Sequence, residues 1–295
     1  MIYPLVRELA ATGAQVRVPV AVTCRVLKIA KAPFYRWLAD PVTARDWADA
    51  QLVNAAFDAH VEAPTFGYRL IADELEDLGF DVSERRVWRL CSENKIVSTT
   101  IKRRRGGKST RQGPPVHDDL VQRRFVAPAP NRLWLTDITE HWTSEGKLYC
   151  CAIKDVFSGR IVGYSIADRM TADLAVAALR MAVQRRRPVG TTVHSDRGSQ
   201  FRSRRFVLEL SRHGLVGSMG RVGAAGDNAA MESFFSLLQN NVLNTRTWAT
   251  RAELRLEIVH WIEAVYHRRR RQRRLGRLTP VEYETIMTTQ AASAA

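Results

Sequence analysis

Three acids are the residues best placed to do chemistry: Asp137, Asp196 and Glu232. Asp196 stands where the β-branched run 191–193 gives way to His194-Ser195-Asp196-Arg197-Gly198-Ser199-Gln200. Its carboxylate is therefore expected at a strand end, beside a turn in which Gly198 can adopt a positive φ. Glu232 follows after 35 intervening residues, on a segment where Met231, Phe234, Phe235, Leu238 and Val242 recur with helical spacing. Asp227 or Asn228 is the expected cap of that helix. Asp137 lies in the apolar stretch 134–138, a predicted strand. A strand acid, a strand-end acid and a helix acid offer hard oxygen ligands of the kind that suit two Mg²⁺ or Mn²⁺ ions. Such a pair activates an attacking oxygen and stabilises a departing one during displacement at a phosphodiester. Taken singly, each acid has a commoner structural reading. A helix Glu beside an apolar stripe is usually solvated, and an Asp before Arg-Gly usually fixes a turn.

Holding three acids together requires a sheet and a covering helix, and the pattern supplies both. Runs of strand-forming residues at 133–142, 147–156 and 160–167 are separated by Ser144-Glu145-Gly146 and Ser158-Gly159, turns short enough for two antiparallel hairpins. Ala, Leu, Val and Met then recur with helical spacing over 171–185; the strand ending at Asp196, a helix at 203–213 and a strand at 215–219 follow. The order β-β-β-α-β-α-β-α predicts an α/β fold, a ribonuclease H-like mixed sheet with helices on both faces. By period two His194 shares a strand face with Asp196, so it either orients that carboxylate or touches the scissile phosphate, or is simply a packed histidine.

At 295 residues the chain suits about two domains. Its 45 Lys and Arg against 30 Asp and Glu give a net charge of +15, which points to a polyanionic partner, nucleic acid foremost. Cys24, Cys91, Cys150 and Cys151 form no C-x-x-C pair and read as buried free thiols in a reducing cytoplasm. No 18-residue apolar span is present, and Arg7 and Glu8 interrupt any signal-peptide core, so the expected location is cytoplasmic and nucleoid-associated, with no membrane partner.

Residues 1–97 are expected to be an all-α region of helix-turn-helix type. Within it, helices around 20–27 and 33–38 fit a helix-turn-helix or a plain helical hairpin. A second pair covers 68–78 and a helix capped by Ser83, whose Arg85, Arg86 and Arg89 form either a solvated face or one that meets DNA phosphates. Residues 98–125, with Arg103 and Arg104, are basic and broken by glycine and proline, the composition of a flexible linker able to follow a DNA backbone. The catalytic domain is expected at 126–245. A C-terminal helix and an arginine-rich arm occupy 246–286, and the six arginines among 268–274, including Arg270 and Arg271, read as DNA-facing or disordered. Residues 287–295 are expected to be a disordered tail.

Thr136-Asp137-Ile138-Thr139, His194-Ser195-Asp196-Arg197-Gly198-Ser199-Gln200 and Asp227-Asn228-Ala229-Ala230-Met231-Glu232-Ser233-Phe234-Phe235 resemble the three acid motifs of OrfB-type insertion-sequence transposases. These enzymes belong to the DDE superfamily, which also holds the retroviral integrases. Thr65-Phe66-Gly67-Tyr68-Arg69 and 275–283 extend the resemblance over most of the chain. It implies a two-metal polynucleotidyl transferase in which Asp137, Asp196 and Glu232 are catalytic and hold the metals. It also implies Arg197 and Gln200 near the DNA backbone, and His194 and Asn228 in support. Gln239 departs from the pattern, because a lysine or arginine commonly stands there and contacts the DNA end; Asn241 and Gln272 depart likewise. The implied partners are double-stranded DNA, as element ends and as target, further copies of the chain on that DNA, and an upstream OrfA protein or a frameshift fusion with it. Two other classes fit parts of the pattern: a ribonuclease H-like nuclease, and a non-catalytic DNA-binding regulator descended from a transposon.

Overall fold

In the computed structural model the described residues are 2–13, 16–99, 114–220 and 229–293. The chain divides into two compact units, Met1–Ser98 and Thr99–Ala295. Arg103, Arg104, Asp227 and Asn228 lie outside the described residues. No described helix is long and apolar enough to cross a membrane.

The first unit is helical throughout. α1 (Tyr3–Ala10), α2 (Val20–Val26) and α3 (Lys31–Ala39) close on a small core of Val6, Cys24 and Phe34. α4 (Ala44–Glu62) then packs with α5 (Tyr68–Asp77) and α6 (Glu84–Glu93). Periodicity does not single out α4. Its inward residues Leu52, Ala56 and Ala59 are matched by exposed Trp47, Phe57 and Val61, so apolar residues fall on both sides and blur the stripe. Its start is nevertheless well marked, since the Thr43 side chain accepts from Asp46 N–H while the Asp46 carboxylate accepts from Thr43 N–H.

The second unit is built on a five-stranded sheet in the order β3-β2-β1-β4-β5: β1 (Leu133–Thr143), β2 (Gly146–Asp155), β3 (Ile161–Ala167), β4 (Thr192–Ser195) and β5 (Val216–Met219). β1 to β3 form the antiparallel meander, and β4 and β5 add in parallel through α7 (Ala172–Arg186) and α8 (Arg204–Arg212). This is the ribonuclease H-like mixed sheet expected from the strand order. One face is covered by α7 and α8 over Trp134, Ile153, Val162 and Val193. The other carries Leu133, Leu135, Cys150 and Ala152 beneath α9 (Ala229–Leu238) and α10 (Arg251–His260). On the first face Gly163 lies directly under α7. A Cβ there would run into Ala178 O and would sit 2.7 Å from Ala182 Cβ. All four cysteines are buried and free.

The C-terminal segment departs from the sequence reading. Of the two readings of 268–274, disorder is ruled out, since the segment is folded: Gln272 and Leu278 form a β-bridge, and Arg271 Nη1 donates to Arg277 O at 3.3 Å. Burial holds the Arg270 guanidinium below its usual pKa. Rather than ending near Ile286, α11 (Pro280–Ser293) continues as helix through most of the expected tail. Its anchor explains why. Glu284 pairs with Arg186 of α7 and accepts from Ser158 Oγ at 2.8 Å, which ties α11 to the β2–β3 turn.

Candidate active site

β1 and β4 run in parallel register, Leu133 beside Thr192 through Leu135 beside His194. The same offset would set Asp137 level with Asp196. Pairing stops two residues short of them, so the acids stand where the strands part, at the carboxyl end of β4, the usual place for a ligand crevice in a sheet with parallel strands. Residues 133, 135 and 137 alternate onto the face beneath α9, which brings Asp137 under that helix. Glu232 is in the first turn of α9, where the helix dipole favours a carboxylate. Met231, Phe234, Phe235 and Leu238 are buried on the sheet side and leave Glu232 exposed. Asp137 and Glu232 line one cleft of about 360 Å³ with Ile138, Thr139, Phe235, Ser236, Gln239 and Asn240.

The electrostatics identify the cleft as a place of uncompensated negative charge. Asp137 is pushed up to about 7 by burial first, then by the Asp196 charge, with Glu232 adding to it. The Ile138 N–H, 2.7 Å from Asp137 Oδ1, opposes the rise. Burial also raises Asp196 above the usual carboxylate range, against a hydrogen bond from Gly198 N–H at 2.9 Å. Gly198 does not take the positive φ expected of it. Space is what it provides, since an added Cβ would sit 2.9 Å from Asp196 Oδ1 and 3.0 Å from Gln200 Oε1. Among the described residues no three His, Cys, Asp or Glu side chains converge into a ready metal cage.

Several residues expected around the site make intramolecular hydrogen bonds. Arg197 Nε donates to Gly220 O at 2.8 Å, holding the end of β5, and Gln200 Nε2 donates to Met170 O at 3.3 Å. His194 is buried, its Nδ1 2.9 Å from Ser218 Oγ and its ring edge-on to Phe125, which makes it part of the packing between β4 and β5. Gln239 does line the cleft, and its Nε2 donates to Asn244 Oδ1 at 3.1 Å across the π-helical turn Gln239–Leu243. Asp155 faces inward and caps the β2–β3 turn, accepting from Asn131 N–H at 2.7 Å and Phe157 N–H at 2.9 Å. In the first unit Arg86 and Arg89 are drawn onto α4: both guanidinium groups reach Asp49 at 2.7 Å, and Arg89 also reaches Glu93. Those pairs clamp α6 to α4. Arg85 alone of the three is fully on the exposed side.

Sequence reasoning passed over one residue beside the site. Lys154 on β2 is buried on the α9 face, and its Nζ donates to Ala230 O at 3.0 Å. A single lysine inside the apolar run 148–156 was the available signal.

Comparison with known proteins agrees with this architecture. Residues 127–225 and 213–280 match integrase core domain families, and 45–105 match an HTH-like domain. The HTH-like match thus falls on α4 to α6, rather than on the α2–α3 pair that spacing offered first. The chain is 34% identical over 271 residues to the insertion element IS600 uncharacterized 31 kDa protein of Shigella sonnei, covering 91% of this chain and all of that protein. It is 33% identical to the transposase InsF for insertion sequence IS3A of Escherichia coli strain K12, covering 88% of this chain and 92% of the relative. Among solved structures, the HTLV-2 integrase catalytic core domain in complex with magnesium aligns with a TM-score of 0.43 at 16% identity, over 54% of this chain and 99% of that one. With an integrase core behind an HTH-like domain and relatives of this closeness along nearly its whole length, the chain belongs to the family of insertion-sequence transposases.

Proposed function

We propose that this chain is the transposase of its own insertion sequence: it binds the terminal inverted repeats, cuts to expose a 3′-OH, and directs that hydroxyl at a second phosphodiester. Asp137, Asp196 and Glu232 are the catalytic acids. The observation that carries this reading is Asp137, a carboxylate raised to about 7 by burial and by the other two acids. Crowding of like charges at a cleft is a cost to the fold, and it is relieved when cations enter. The donor set fits Mg²⁺ or Mn²⁺, being carboxylate oxygen only. Asp137 and Asp196, from the parting strands, would hold ions in common, and Glu232 would complete the set from the helix. When bound, the ions supply activation of the attacking oxygen and stabilisation of the leaving oxygen.

The protein's own contribution is placement. Asp137 is on β1, Asp196 directly follows the last residue of β4, and Glu232 is in the first turn of α9. The half-exposed side of the cleft, formed by Ser236, Gln239 and Asn240, is neutral and polar, so it can lie along a DNA end without adding charge. Arg85 on α6 is the arginine of its group still available to a phosphate. Element ends and target DNA, further copies of the chain on that DNA, and an OrfA partner or fusion complete the proposed assembly.

The test is a strand-transfer assay on the element's own ends with Mg²⁺, with and without the upstream OrfA protein. Joined products that depend on Mg²⁺ and on all three acids support the reading. A triple variant, Asp137→Asn with Asp196→Asn and Glu232→Gln, that still joins strands overturns it. Cleavage of RNA–DNA hybrids without joining identifies a nuclease instead, and metal-independent binding of repeat ends with no chemistry identifies a regulator.

A further inference from the structure

Lys154 is hard to explain by stability. It is 6% exposed, on the sheet face whose other members are Leu135, Ala152 and Cys150. Among the described residues no carboxylate forms an ion pair with it, and the charge that acts on it is another cation, Arg274. Burying an ammonium without a counter-ion costs several kcal/mol, and a cation beside the first turn of a helix also opposes the helix dipole. Burial accordingly lowers Lys154 to about 7. An apolar side chain of the same length would pack there at less cost. The lysine does one thing that such a residue cannot: its Nζ donates to Ala230 O at 3.0 Å, two residues before Glu232.

That bond complements the packing of α9. Met231, Phe234, Phe235 and Leu238 set which side of the helix faces the sheet. Apolar contact is non-directional, however, and resists sliding along the axis only weakly. One residue of slide moves a helix by about 1.5 Å, and misplacement of a catalytic group by about 1 Å can cost 100-fold in rate. A directional bond from a strand of the rigid sheet to a first-turn carbonyl removes that freedom at the end of α9 where Glu232 stands.

We propose that Lys154 is a positioning residue: from β2 it pins the first turn of α9 and so fixes the point from which Glu232 reaches the other two acids. This rests on the reading of Glu232 as the third catalytic acid.

The experiment compares full-length wild type, Lys154→Met, Lys154→Arg and Glu232→Gln by thermal melting, by amide hydrogen exchange of the peptide containing Ala229–Leu238, and by strand transfer across a Mg²⁺ titration. Lys154→Met should melt no lower than wild type. Its α9 peptide should exchange at least about tenfold faster while β1 and β2 peptides are unchanged, and strand transfer at saturating Mg²⁺ should fall about 100-fold with DNA-end binding intact. Lys154→Arg, which keeps a cationic donor, should recover most of both losses. Wild-type exchange in the Lys154→Met helix overturns the proposal, as does faster exchange with undiminished transfer. Melting of Lys154→Met well below wild type also overturns it, since the lysine would then support the fold at large. If Glu232→Gln retains transfer, the assignment of the acid fails, while the exchange data still decide whether Lys154 anchors the helix.

Discussion

Two carboxylates on opposite faces of the sheet have opposite fates. Glu209, on α8, is buried against Arg180 at 2.7 Å, with His213 at 3.2 Å and Arg212 at 3.3 Å, and the Arg180 hydrogen bonds lead in lowering it to about 2. Asp137, beneath α9, is raised to about 7 by burial first and then by the charges of two other acids. The first carboxylate spends its charge on holding α7 to α8. The second has no cation among the causes that shift it, and is the one proposed to meet a metal. Asp49 belongs with Glu209, since Arg89 and Arg86 hold its carboxyl below the usual range and the trio joins α4 to α6. Acids of the same type thus divide into structural ones, whose burial is answered by a cation, and candidate catalytic ones, whose burial is not.

The contrast breaks most visibly if the functional acids are removed. Asp137→Asn, Asp196→Asn and Glu232→Gln should each lower strand transfer by about 10³-fold or more while gel-shift binding of element ends survives. Without divalent cation Asp137→Asn should also be the more stable protein in alkaline solution. A folded pKa of about 7 lies above the ordinary 3.8, so Asp137 costs nothing in acid, costs progressively more as pH rises between those values, and costs a constant amount above about 7. Melting curves at pH 4 and pH 8 check the sign: the advantage of the variant should be present only at the higher pH. Addition of Mg²⁺ is the next largest effect. It should raise the melting temperature of wild type by an amount corresponding to about 2.7 kcal/mol at a concentration 100 times the dissociation constant, and by much less in Glu232→Gln.

On the other face the expectation reverses. Glu209→Gln should lose about 1–2 kcal/mol at neutral pH, discounted because the partner guanidinium groups remain in water, and strand transfer by the folded variant should stay within about twofold. Its folded pKa of about 2 lies below the ordinary 4.5, so the contribution of Glu209 is complete above that ordinary value and disappears as pH falls through about 2. Denaturant titrations across that range should show the two proteins converging in acid. The smallest effect is Asp49→Asn, about 1 kcal/mol, read as faster amide exchange in α4 and α6 with the chemistry on DNA ends unchanged.

The strand order and the candidate acids were legible because both rest on local pattern: period two in the strands, helical spacing after Ala229, and acid types at set intervals. The arginines were not. Arg86 and Arg89 find Asp49 from 37 and 40 residues away, and nothing local distinguishes an arginine with such a partner from one facing solvent. The folded arm around Gln272 depends in the same way on the distant β2–β3 turn, where Arg274 Nη1 reaches Val156 O at 3.5 Å. Gly198 was expected to supply a positive φ and does not; what its missing side chain provides is room beside the Asp196 carboxylate, which no local pattern announces. Lys154 went unremarked because a lone lysine in an apolar run reads as an interruption until the carbonyl it reaches is known.

Gly163 has a further implication. A methyl group at this position would run into Ala178 O, so at this one point β3 and α7 approach backbone to backbone. If the proposed function holds, a crossing this tight leaves little room for movement on that face of the sheet, and any opening that admits DNA is expected on the opposite face, at the helix that carries Glu232.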